Sequence, residues 1–382
     1  MELIVDLLKE FVSIDTTATE HKNFDLMAKT IKSRAEALGL KAEITYDPKG
    51  IPHVIITLPE APKDAKKVIF LAHYDVVPAG ENWDHDPFKP FVEMNRLYGR
   101  GSADDKSGIV AGLVGLYEVL EAEKEPTINP LLVVVGGEET GEAAEFLGTL
   151  TGDLAVILDT GPEALSIGAS GIVRAYITVY GDQCHSAAPM SCKNAIYEAM
   201  KIVGFLKRLG KRTIKRVKSK FPATRDFKKL PARLSVTQIE AKVAENIIPG
   251  SCSIIVDRRT IPEEDIKNVA EKLRGEIIGF ARRHKIDVDV EVKPLAPGWV
   301  TKNTNVIEAV RDVLESLLAK EVPVGVELGT TDGVWLIDRM PVVQFGALRK
   351  GTNVHGANEF VYLDDVVLVK DFVRKLVLEL EL

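Results

Sequence analysis

Apolar positions recur along this chain in two rhythms. The opening stretch MELIVDLLKEFVSID places Leu3, Ile4, Leu7, Leu8 and Phe11 at helical spacing, which predicts an amphipathic helix. Four nearly continuous Val/Ile/Leu runs then end in turn residues: VIFLAHYDVVP (68–78), LLVVVGGEETG (131–141), LAVILDTGP (154–162) and VVQFGALRKG (342–351). A run with no polar face predicts a strand buried on both sides, as in a largely parallel sheet flanked by helices. Helical periodicity at 22–38, 108–123, 141–150, 304–319 and 364–379 supplies the flanking helices.

The middle of the chain follows the other rhythm. IVRAYITVYG (172–181) alternates with period two, the mark of a strand with one solvated face. A helix at 193–209, strands in LPARLSVTQIEA and SCSIIVDRR, a long amphipathic helix at 263–284 and the alternating VDVEVKPL complete that region. The fold class is therefore α/β. A mainly parallel sheet domain flanked by helices is built from 1–169 and 297–382, and a smaller α+β domain is inserted at 170–296. Two cores suit a chain of 382 residues, more than twice the ~150 of a typical domain.

Charge changes this picture at one place. Residues 207–233 hold twelve Lys/Arg against the single acid Asp226, so a chain of net charge −7 carries +11 there and −18 elsewhere. An anion funnel or a nucleic-acid patch is one reading. Without interleaved aromatics for base stacking, a solvated excursion of the inserted domain is the better one, and no nucleic-acid partner is expected. The three cysteines, Cys184, Cys192 and Cys252, make no disulfide framework and no CxxC pair, which points to a reducing, cytoplasmic setting. No apolar run reaches the ~18 residues of a spanning helix, so no membrane association is expected.

Candidate chemistry gathers at the predicted strand ends, where open α/β sheets bind their ligands. His73 and Asp75 follow VIFLA and, two apart in extended chain, point the same way, which suits an imidazole ligand beside a carboxylate that orients it. Asp104 lies in the glycine-rich LYGRGSADDKSG ahead of a helix. Glu138 and Glu139 follow LLVVVGG, where neighbours in extended chain would face different ways. Asp159 ends LAVIL, and His355 comes soon after VVQFGA. Any one of these could be a cap or a surface residue. Together, two imidazoles and three carboxylates suit a borderline divalent ion such as Zn²⁺, with Co²⁺ or Mn²⁺ as substitutes.

AHYDVVP, YGRGSADDKSG, GGEETG, ILDTGP, GDQCHSAAP, ENIIPGSCSIIVDRR, LGTTDG and TNVHGANEFV fall in the order of one zinc-hydrolase family, which the chain resembles over essentially its whole length. That family comprises acetylornithine deacetylase, succinyl-diaminopimelate desuccinylase, aminoacylase, dipeptidases and glutamate carboxypeptidase. The resemblance implies two Zn²⁺ per chain bridged by Asp104, one held also by His73 and Asp159, the other by Glu139 and His355. It implies Asp75 behind His73, a water between the metals as nucleophile, and Glu138 as general base. It further implies a cis bond after Asp104 and a homodimer through the inserted lid or dimerisation domain, across which His185 stabilises the oxyanion. Asn246, Arg259, Gly329 and Thr330 match positions that grip or line the substrate. The substrate so implied is a small N-acyl amino acid or short peptide with a free carboxylate.

Within the family the pattern is mixed. Asp159 stands where the deacetylases carry glutamate, and Asp105-Lys106-Ser107-Gly108 stands where they carry DMKG; both features resemble the peptidase branch. The arginine segment of the desuccinylases is replaced by SIGASGIVRA, while the chain's length resembles the deacylases. A non-catalytic relative would have lost Glu138 or a ligand, and neither is lost. His21, His53, His85 and His284 match no motif and read as surface or structural; a thiol-nucleophile role for Cys184 has no activating environment in view.

Overall fold

The structure, a computed structural model, describes residues 1–62 and 64–382. The chain forms two compact units: Met1–Ile167 with Thr301–Gly325 and Trp335–Leu382, and Gly168–Val300 with Val326–Val334.

In the first unit the four apolar runs become four parallel strands, ordered Asn129–Val135, Lys67–His73, Leu154–Ile157 and Val342–Gln344. Their side chains are buried on both faces, which is why their sequences carry no alternation. Helices Glu2–Ser13, Phe24–Ala37, Lys106–Leu120, Thr304–Leu318 and Leu363–Glu379 surround the sheet. The Lys106–Leu120 helix is apolar nearly all round because it is covered on nearly all sides. Its glycines allow that approach: a Cβ at Gly112 would meet Leu132 at 2.7 Å, and one at Gly115 would meet Val373 at 3.0 Å.

Several elements escaped the sequence pattern. Lys41–Tyr46 and Pro52–Thr57 form an antiparallel pair that extends one edge of the sheet. The outer strand is largely exposed and offers little hydrophobic contrast to read. The helix expected at 141–150 shrinks to Ala144–Leu147, because Gly141 takes φ +72° in a preceding turn. A small sheet joins Phe360–Tyr362, Arg96–Tyr98 and Phe91–Glu93, three residues each and too short for any periodicity.

The second unit carries a four-stranded antiparallel sheet ordered Arg233–Glu240, Ser251–Thr260, Gly171–Tyr180 and Asp287–Ala296. Val173, Ala175, Ile177, Val179, Ile254 and Val256 face the helices Ala195–Arg216 and Ile266–Arg283, whose first turns Asn194 and Asp265 cap. The basic stretch runs along the last turns of the first helix into irregular chain; its cations are exposed except for the half-buried Arg225 and Arg233. The cysteine reading is corrected here: Cys184 and Cys192 form a disulfide, their Cα atoms brought to 6.2 Å by the short helical turn Pro189–Ser191. Cys184 therefore has no free thiol. Among the described residues no helix is long and apolar enough to cross a membrane.

Candidate functional site

Three parallel strands deliver acidic and imidazole groups to one end of the first unit's sheet. His73 is the last residue of Lys67–His73, Asp159 lies two residues beyond Leu154–Ile157, and Glu138 and Glu139 follow Asn129–Val135. The glutamates sit on a turn rather than in extended chain. Gly137 makes that turn with φ +83°, and Gly136 passes so close to Tyr74 that a Cβ would lie 2.2 Å from its hydroxyl. Asp75, wholly buried, holds the turn in place: its Oδ1 accepts the Glu138 N–H and its Oδ2 the Glu139 N–H, each at 3.1 Å. The His73 ring meets Asp75 mainly through the main chain, Nδ1 lying 3.0 Å from the Asp75 carbonyl oxygen and 3.7 Å from its carboxylate. This turns Nε2 towards the other acids.

Asp104 sits between two groups of donors. Its Oδ1 is 2.9 Å from His73 Nε2, and its Oδ2 is 3.0 Å from His355 Nε2. His73 Nε2 also lies 3.7 Å from Asp159 Oδ2, and His355 Nε2 lies 3.1 Å from Glu139 Oε1. Two clusters result, His73–Asp104–Asp159 and Asp104–Glu139–His355, each with its potential ligand atoms within 4.8 Å of one another. The Asp104–Asp105 peptide is cis.

The electrostatics fit a cation. Burial pushes the Asp159 carboxyl up to about 7, with the charge of Asp104 adding to it. Asp159 Oδ1 is buried without a hydrogen-bond partner, an acceptor whose desolvation nothing offsets. Burial works against ionisation of Asp104, yet His355 and His73 hold its pKa below the ordinary carboxylate range. Burial likewise opposes charge on His73, but Asp104 and Asp159 keep its pKa well above the usual value. Hydrogen bonds to Asp104 and Glu139 lift His355 to about 10. Carboxylates crowded around two imidazoles, raising the pKa of both, are a setting that a metal ion would neutralise.

Behind the acids is a scaffold that sequence reasoning missed. Glu359, fully buried, accepts from Arg100 Nη1 at 2.5 Å, from the N–H groups of Gly101 and Ala103 at 3.0 Å, and from the Asp104 N–H at 3.2 Å. Arg100 Nη2 donates to the carbonyl oxygen of Gly356 at 3.0 Å. One buried ion pair therefore ties the loop bearing Asp104 to the loop bearing His355. Asp105 accepts from the His73 N–H at 3.4 Å, and a Cβ at Gly108 would collide with its carboxylate at 2.5 Å. Burial, followed by the charge of Asp159, raises the Asp105 pKa well above its ordinary value. Lys106 donates to the carbonyl oxygen of Ile14 at 2.8 Å, and burial lowers its pKa to about 7. His53 is also buried, stacked on Phe146 at 3.9 Å. Arg100 and Glu359 lie inside the motifs quoted above, but no local signal pairs residues so far apart in the chain.

The remaining candidates belong to the second unit. His185, exposed, pairs with Ile247 across a two-residue ladder, and the Ser186 N–H donates to the Asn246 carbonyl oxygen at 2.9 Å. His185 Nδ1 accepts the Ala187 N–H at 3.0 Å, which leaves Nε2 as the outward donor. Arg259 Nη1 donates to Thr330 Oγ1 at 3.1 Å, and the Gly329 carbonyl oxygen accepts the Ser170 N–H at 2.9 Å.

Known proteins share both sequence and fold with this chain. A family model described as peptidase family M20/M25/M40 matches residues 69–379. A succinyl-diaminopimelate desuccinylase of Gluconobacter oxydans is 30% identical over 309 residues, covering 77% of this chain and 76% of that protein. One from Marinobacter nauticus is 25% identical over 331 residues, covering 81% and 82%. Among solved structures, an M20 family metallo-carboxypeptidase from Sulfolobus solfataricus superposes with a TM-score of 0.76 at 20% identity, covering 98% of each chain. A tripeptidase from Staphylococcus aureus gives 0.77 at 20% identity, covering 98% of this chain and 97% of its own.

Proposed function

The chain belongs to peptidase family M20/M25/M40 and is a metal-dependent amidohydrolase. From that premise we propose that it cleaves the amide bond of an N-acyl amino acid or short peptide bearing a free carboxylate. His73, Asp104 and Asp159 would hold one divalent metal and Asp104, Glu139 and His355 a second, with Zn²⁺ the ion best suited to two nitrogen and three carboxylate ligands. The observation that carries this reading is Asp104, whose two oxygens face two different imidazoles. When bound, the metals would polarise the scissile carbonyl and lower the pKa of water at the site.

Glu138 is outside both ligand clusters, while its backbone is fixed by Asp75. It would take a proton from the attacking water and return it to the departing nitrogen, a role worth ~10²–10⁴-fold in rate. Asp75 positions both glutamates through their N–H groups and His73 through its main chain. In a homodimer formed through the second unit, His185 of the partner subunit would donate to the developing oxyanion; removing such a donor costs ~2.7–4 kcal/mol. Asn246, Arg259, Gly329 and Thr330 would take the substrate's carboxylate end, Arg259 through its planar fork. Asp159 and the Asp104-Asp105-Lys106 run favour a peptide substrate, and the desuccinylase relatives favour an N-acyl amino acid.

Chelation should abolish hydrolysis across a panel of N-acetyl, N-succinyl and dipeptide substrates, and Zn²⁺, Co²⁺ or Mn²⁺ should restore it. Glu138→Ala should lose turnover while still binding about two metal ions per chain. Hydrolysis that survives complete metal removal would overturn the reading.

A further inference from the structure

The second unit sets two arginines directly opposite each other. Arg233 and Arg259 are register partners on adjacent antiparallel strands, where like charges repel. Both are fixed on the same loop. Arg259 donates through Nε to Asp257 Oδ1 at 2.9 Å and through Nη1 to Thr330 Oγ1 at 3.1 Å. Arg233 Nη2 donates to Ser170 Oγ at 2.8 Å and to the Leu328 carbonyl oxygen at 2.6 Å. Thr330 Oγ1 in turn donates to the Ser170 carbonyl oxygen at 2.9 Å, closing the network.

The acid that pairs with Arg259 is shared. Asp257, beside Arg259, also has Arg174 at 3.8 Å. Neither hydrogen bond of Arg233 goes to a carboxylate, and its Nε is buried with no acceptor at all. Burial, and next the charge of Arg259, lower the Arg233 pKa to about 10. Nη2 gives both its hydrogens to Ser170 and Leu328 and Nε is sealed from solvent, so Nη1 is the nitrogen left to meet a further anion, and a guanidinium with no counter-charge favours a carboxylate there. Arg233 closes the basic stretch 207–233, whose other members, apart from half-buried Arg225, are exposed.

We propose that Arg233 and Arg259 form one recess for two carboxylates, so that the preferred substrate ends in a dicarboxylic amino acid and Arg233 reads the second carboxylate. This rests on the reading above in which Arg259 takes the substrate's carboxylate end. One guanidinium would suffice for the α-carboxylate alone; the second, which has no carboxylate of its own, favours another anion beside the first.

The experiment compares N-acetyl-L-glutamate with N-acetyl-L-glutamine, equal in size and differing by one charge, on the metal-loaded protein. The glutamate compound should be preferred by about tenfold to a hundredfold in kcat/KM, chiefly through KM. Arg233→Gln should bring the ratio close to one, and Arg233→Lys, which keeps the charge without the fork, should leave an intermediate ratio. Equal use of both compounds by the unchanged protein overturns the proposal, and so does a preference that survives in folded Arg233→Gln. That first comparison needs no variant, so it stands even where a variant fails to fold. If neither compound is hydrolysed, the proposed reaction on such substrates fails separately. Calorimetric binding of the same two compounds then decides: selectivity for the glutamate compound, lost in Arg233→Gln, supports the recess, and equal or absent binding overturns it.

Discussion

Glu359→Gln removes one charge and almost no volume, at a position with no access to solvent. Glu359 accepts four hydrogen bonds, from Arg100 Nη1 and from the N–H groups of Gly101, Ala103 and Asp104. A glutamine that keeps its oxygen towards Ala103 and Asp104 must turn its NH₂ towards Arg100 and Gly101, setting donor against donor. Arg100, itself 1% exposed, then keeps its charge without a counter-charge. Breaking a buried ion pair on one side costs ~3–5 kcal/mol. The remaining contacts of Arg100 to the carbonyl oxygens of Gly356 and Ala79 soften that loss without supplying charge. Against a total stability of ~5–15 kcal/mol this is a large fraction. Urea unfolding, followed by far-UV circular dichroism and by tryptophan fluorescence, reads the loss; Trp83 lies 5.3 Å from the Arg100 guanidinium and reports locally. Because Asp104 and His355 are both tied to this pair, metal affinity measured by calorimetry should fall with the stability. A loss below ~1 kcal/mol with unchanged metal affinity would refute the claim that the pair holds the site together.

Two further outcomes follow from the same geometry. In the metal-free protein His355 titrates at about 10, above the ~6.5 of the unfolded chain, so its proton stabilises the fold below pH ~6.5 and that stability is lost as pH rises towards 10. A metal must displace this proton: between pH 7 and 9 affinity should rise about tenfold per unit for each proton released, and titration calorimetry in buffers of different ionisation enthalpy should detect the release. Zero protons released at pH 7.5 would contradict it. Gly136→Ala would drive a methyl to within 2.2 Å of the Tyr74 hydroxyl, at the turn that carries both glutamates. It should cost ~1–3 kcal/mol in denaturant unfolding and slow turnover, and unchanged values for both would show that the turn has room.

The parallel core and the place of the site were legible in the chain because both are encoded locally. A strand buried on two faces must be apolar throughout, so Lys67–His73, Asn129–Val135 and Leu154–Ile157 announce themselves, and the polar residues that end them mark the sheet's ligand-binding edge. His73, Glu139 and Asp159 could be named as candidates on that ground; Asp104 came from a glycine-rich loop ahead of a helix and His355 from beyond VVQFGA, and the ordered motifs joined all five. The backbone around Glu138 and Glu139 was not legible: extended chain was expected, but a left-handed glycine and the Asp75 carboxylate make a turn instead. Cys184 and Cys192 lacked any recognised spacing and meet only because Pro189–Ser191 folds the chain back.

By itself, then, the sequence determined which segments are buried and which reactive side chains stand at their ends, since hydrophobic periodicity is a property of neighbours. Only the tertiary structure decided which distant charges share a dry space. Glu359 meets Arg100 because two three-residue strands, Phe360–Tyr362 and Arg96–Tyr98, pair in register. Arg233 faces Arg259 because their strands do the same. Water is excluded from such contacts by everything packed around them, so their partners and strengths are set by the fold as a whole and by no stretch of chain alone.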